Sequence, residues 1–129
     1  GCYQDNCVYN HCFLLIYGYF SSIDVPYALQ TFALGINSRG QIVGSYQDNS
    51  GYNHGFLRKR EGHFSTIDVP NALHTVAYHI NSRGQIVGTY NDGYNHGFIA
   101  EPDTIEGVNP APPSPKHKLT TTWGKIKSR

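Results

Sequence analysis

The sequence predicts an all-β fold: tandem four-stranded antiparallel units of about 43 residues, sized like propeller blades, in an incomplete array. The first sign is repetition. "IDVP" at Ile23–Pro26 recurs at Ile67–Pro70, and "INSRGQIVG" at Ile36–Gly44 recurs at Ile80–Gly88, both at an offset of 44. A third copy opens the chain, where "YQDNCVYNHCF" at Tyr3–Phe13 matches "YQDNSGYNHGF" at Tyr46–Phe56. The second sign is punctuation: no segment sustains a helical period, and Gly, Asn and Asp recur too often for helices. The third is a length change at one place. "DNSG" at Asp48–Gly51 becomes "DG" at Asp92–Gly93, a strong hairpin signal. Losing two residues at a hairpin tip leaves each flanking side chain on its own face, because the strand period is two.

Each element of a unit follows from local pattern. Thr75–Ile80 alternates and places Val76, Tyr78 and Ile80 on one face, as Phe32, Leu34 and Ile36 do in the preceding copy. "NSRG" supplies a turn, with Gly40 and Gly84 suited to positive φ. Gln85–Tyr90 is the second strand, "HGFL" opens the third, and "HFSTIDV" at His63–Val69 is the fourth, closed by Pro70. "TIEGVNPA" at Thr104–Ala111 reads as an eroded "TIDVPNA". The β-repeat domain is therefore assigned to residues 1–111, in units 1–22, 23–66 and 67–111, with a Pro-rich and then basic flexible tail at 112–129. A propeller closes with about four to eight blades, so three units imply a segment of a longer array, an assembly of copies, or an open stack. The chain holds no Met and enters the repeat in mid-unit, which leads us to expect a leader, further repeats or both upstream.

The unit "TIDVPNALHTVAYHINSRGQIVGTYNDGYNHGF", with its "INSRGQIVG" core, resembles the HAF-type extracellular repeat proteins of bacteria. In place of their His-Ala-Phe element this chain has His54-Gly55-Phe56, His96-Gly97-Phe98 and His11-Cys12-Phe13. The resemblance covers about Gly1–Ala111. It implies a secreted or surface-exposed β-repeat protein and carries over no catalytic residue.

Ten Lys and Arg balance nine Asp and Glu, so net charge selects no partner. Five of the ten bases lie in the last 14 positions. A solvated terminus is the favoured reading of that run, with nucleic-acid binding the lesser one. No apolar run approaches the roughly 18 residues of a membrane helix.

Several constellations bear chemistry. His11, His54 and His96 occur once per unit, and such spacing does not converge ligands on one metal. The reading is that each Asn–His pair satisfies backbone groups at a strand start, and that Asp24 and Asp68 accept N–H donors. Tyr46, Asn53, His54, Tyr90, Asn95 and His96 are the candidate binding residues, since surface Tyr with Asn and His can hold a glycan or peptide. Packing is the commoner use of strand aromatics. Cys2 and Cys12 would face each other across a Tyr3–His11 hairpin, so a disulfide is favoured over free thiols. A zinc site from Cys2, Cys7, Cys12 and His11 has no recognised spacing, and no metal or cofactor is assigned. Phe13, Leu14, Leu15, Ile16 and Tyr17 replace a charged stretch of the next copy and form a candidate self-association surface. No nucleophile elbow, P-loop, dinucleotide fingerprint or zinc-protease motif occurs. The expected function is a non-enzymatic extracellular module for surface recognition or a structural array. A propeller-type lyase or hydrolase with a site at the ring centre is the alternative.

Overall fold

A computed structural model describes residues 1–101 and the strand Lys125–Ser128. All regular elements of the described residues are strands, in three small antiparallel sheets. The first sheet comprises β1 (Cys2–Gln4), β2 (Asn10–Ile16) and β3 (Tyr19–Ile23), in that spatial order. The second comprises β4 (Gln30–Ile36), β5 (Ile42–Gln47), β6 (Asn53–Arg58) and β7 (Phe64–Ile67). In the third, β8 (His74–Ile80), β9 (Ile86–Asn91) and β10 (Asn95–Glu101) are joined by β11 (Lys125–Ser128), which pairs with β10. Among the described residues no barrel closes, and no helix is long and apolar enough to cross a membrane.

The sheets meet face to face. Strand β4 lies against β2, and β8 lies against β5 and β6. Cys12, Ile23, Ile42 and Phe56 form the core between the first two sheets. Val43, Leu57, Ile67, Ala77, Ile86 and Phe98 form the larger core between the second and third. Each turn finds the residue it needs: Gly40 and Gly84 hold φ of +76° and +85°. Asn37 Oδ1 accepts the N–H groups of Arg39 and Gln41, and Asn81 Oδ1 those of Arg83 and Gln85.

Two expectations are corrected here. Val76, Tyr78 and Ile80 do not share one face, because Ile80 is buried together with Thr75 and Ala77. Tyr78 is exposed, and in the preceding copy Thr31 is buried while Leu34 and Ile36 are exposed. The cause is a β-bulge between Ala77 and His79, matched between Ala33 and Gly35, which reverses the phase and returns Ile80 to the core. Thr also serves the backbone here, because Thr31 and Thr75 Oγ1 accept the N–H of Val25 and Val69 at 3.1 and 3.2 Å. The second correction concerns the tail, from which Lys125–Ser128 supplies a strand. Without it the N–H and C=O groups on that side of β10 would form an open edge, and a short alternating "KIKS" segment can pair with them. The eroded repeat at Thr104–Ala111 lies outside the described residues.

Candidate functional site

Each sheet sets one His opposite one Tyr on a hairpin. The registers pair Tyr3 with His11, Tyr46 with His54, and Tyr90 with His96. Directly opposed residues share a face, and the rings lie with centroids 5.5, 5.1 and 4.8 Å apart. The two-residue difference between hairpins is absorbed between Gln47 and Asn53 and between Asn91 and Asn95, outside these pairs.

The His rings reach carboxylates at both ends. Asp48 opens its hairpin turn and accepts the N–H groups of Ser50 (2.8 Å) and Tyr52 (3.0 Å) through Oδ1. That leaves Oδ2 for His54 Nε2 at 2.8 Å, while His54 Nδ1 meets Asp68 Oδ2, at the end of the unit's fourth strand, at 2.8 Å. The first sheet builds the same cluster. Asp5 Oδ1 accepts the N–H groups of Cys7 and Tyr9, and His11 bridges Asp5 Oδ2 (3.0 Å) and Asp24 Oδ1 (3.2 Å). In the third sheet His96 Nε2 contacts Asp92 Oδ1 at 3.0 Å, and the segment matching Asp68 lies outside the described residues.

Two carboxylates flanking one imidazole favour its protonated form, in which both ring nitrogens donate. The hydrogen bond to Asp5 leads in raising the His11 pKa above its ordinary value. For His54 burial opposes the charge, but the bonds to Asp48 and Asp68 outweigh it and the pKa is again raised. Asp48 is held below the usual carboxylate range by His54 and the turn amides, and Asp5 by the Tyr9 amide and His11. Burial pushes Asp68 up against the pull of His54. With both ring nitrogens turned to carboxylates, neither His11 nor His54 presents one to a metal or a substrate proton. The cluster is a clamp that ties a hairpin tip to the far end of its sheet.

This arrangement corrects two sequence readings. His11 and His54 satisfy carboxylates, not strand-start backbone, and Asp24 and Asp68 accept from a His ring in place of turn or strand N–H donors. Asp24 also accepts the Ser22 hydroxyl at 2.6 Å. Sequence reasoning missed Asp5, Asp48 and Asp92. Their signal was available, since each stands directly before its hairpin turn in "YQDN", "YQDN" or "YNDG".

The other candidates fall in separate places. Tyr46 is half-buried, with its hydroxyl 2.9 Å from Thr66 Oγ1, and Tyr90 packs against the larger core. The Asn53 N–H donates to His74 Nδ1, and Asn95 Oδ1 accepts from Asn91 Nδ2. Tyr52 and Tyr94, on the hairpin tips, are among the exposed aromatics. Cys2 and Cys12 stand opposite each other and are joined by a disulfide. Cys12 is fully buried, and its Sγ accepts the Ala33 N–H at 3.1 Å; Cys7 is exposed and free. Among the described residues no group of three His, Cys, Asp or Glu is placed to hold a metal. No protein-family model, curated protein or solved structure matches the chain.

Proposed function

We propose that this chain is a non-enzymatic module of the HAF repeat type, built from stacked propeller-blade-like units and working outside the cell by surface recognition or as part of an array. One observation carries the reading. The polar residues that recur between copies, His11 with Asp5 and Asp24, and His54 with Asp48 and Asp68, are spent on one another inside the unit. A general base needs a free nitrogen within reach of a substrate proton, and neither ring keeps one. The same observation weighs against a lyase or hydrolase site at a ring centre. The Cys2–Cys12 disulfide is compatible with an oxidising compartment. The exposed Tyr52 and Tyr94 leave aromatic faces for a glycan or a protein surface.

The test is His54→Gln, assayed for stability and against a panel of polysaccharide and ester substrates alongside a glycan array. The reading expects a less stable variant, no turnover by either protein, and any glycan binding retained. Turnover by the parent chain that vanishes in an equally stable variant would overturn it.

A further inference from the structure

The stack leaves two unlike faces open, and each is one half of a contact that the chain already makes internally. The second sheet presents the cross-strand pair Val43 and Leu57 to the third sheet, and both are buried, at 0% and 1% exposed. Their sequence counterparts on the third sheet, Val87 and Ile99, are likewise paired across β9 and β10. In the described chain Val87 is 43% exposed and Ile99 is half-buried. Together with His79 they border a cleft of about 270 Å³. The opposite face repeats the pattern. Phe56 and Phe64 pack edge to face and sit in the core against the first sheet. Their counterparts Phe13 and Phe20 pack the same way at 5.2 Å, yet Phe20 is 68% exposed and the pair borders a cleft of about 360 Å³.

A polar tie follows the same logic. Asn37 Nδ2 donates to Gln41 Oε1 and also across the sheet interface to the Asn81 carbonyl at 2.9 Å. Asn81 Nδ2 makes the corresponding bond to Gln85 Oε1 but has no cross-sheet partner among the described residues.

We propose that the Phe13–Phe20 face of one copy stacks on the Val87–Ile99 face of another, so that the protein assembles head to tail. The occupant is a second copy because each open face matches the inner face of the other end, and both internal contacts show how they fit. Such a contact joins different patches, so it propagates head to tail, as a ring where the rotation per copy closes and as open oligomers where it does not. One residue limits it. Gly35 lets the Tyr78 carbonyl come close, since a Cβ there would stand 2.8 Å from that oxygen. His79 occupies the corresponding position of the third sheet, is exposed and borders the open cleft, where an incoming sheet would meet it. The inference uses the stacked-unit reading above but not the absence of catalysis.

Sedimentation velocity over a concentration series of the full chain tests it, with four variants. The parent chain is expected to associate increasingly with concentration. Val87→Lys and Phe20→Lys, both at exposed positions, should each weaken association by about tenfold or more. A mixture of the two should form a one-to-one complex, because each variant keeps the face that the other has lost. His79→Gly should strengthen association, while Ser50→Lys, on an exposed hairpin tip, should leave it unchanged. Circular dichroism confirms that each variant is folded. A parent chain that stays monomeric at the highest concentration overturns the proposal. So does association by the parent with no complex in the mixture, which would mean a symmetric or unrelated contact. Either result leaves the non-enzymatic reading standing.

Discussion

At the scale of single residues, two kinds of side chain decide whether a unit forms. Gly44 and Gly88 sit in the middle strands where a facing backbone leaves no room. A Cβ on Gly44 would lie 1.8 Å from the Phe32 carbonyl oxygen, and one on Gly88 2.0 Å from that of Val76. Gly44→Ala is therefore expected to cost about 3 kcal/mol or more, at the upper end for overpacking a well-filled site. Gly51→Ala, at φ +89° with open space around it, should cost only about 1 kcal/mol. Urea unfolding at one pH ranks the two, and the reverse order would show that the strand backbones can part. His54→Gln tests the clamp, since Gln carries no charge to share between Asp48 and Asp68. A loss of about 1–2 kcal/mol is expected for these charge-assisted, partly exposed bonds. The sequence revealed the importance of His54 but not its partners. Asp68 is fourteen residues away, and only the antiparallel return of β7 beside β6 brings it to the ring.

At the scale of elements, hairpins were legible and the bulge was not. Turn residues act locally, so "NSRG", "DNSG" and "DG" announce their geometry in the sequence. A bulge is a property of two strands together, and neither "ALG" nor "AYH" advertises one. Strand β11 was hidden for a related reason: its pairing with β10 is long-range, and its composition is that of a solvated tail. The hairpin logic yields a prediction. Deleting Asn49 and Ser50 converts the β5–β6 tip into the β9–β10 form, and stability should change by less than about 1 kcal/mol. Deleting Ser50 alone forces either a new turn type or a one-residue slip, and a slip separates Tyr46 from His54 onto opposite faces. That variant should be the less stable of the two by chemical denaturation. Equal stability would mean that the tip is slack and the Asp48–His54 contact contributes little.

At the scale of the whole molecule the clamps act together, and they set a pH window. His11 and His54 have raised pKa values in the folded state, so their contribution is fully present below the ordinary His value of 6.5. It is lost as pH rises through their folded-state values. Asp5, Asp48 and Asp92 have lowered values, so their contribution is present above 3.8 and is lost as pH falls through their folded-state values. Asp68 acts in the opposite sense to these three. Burial raises its pKa, so its ionisation opposes folding, and His54 offsets part of that cost. Stability is therefore expected to peak between about pH 4 and 6.5 and to decline on both sides. The alkaline decline has a structural cause. A neutral imidazole holds one proton and can donate to only one of its two carboxylates, so the other contact sets lone pair against lone pair. Melting temperatures measured from pH 3 to pH 9 should trace this curve, and His11→Gln combined with His54→Gln should flatten its alkaline limb. A parent protein most stable above pH 8, or a double variant that keeps the same alkaline decline, would show that the clamps do not carry the charge assigned to them.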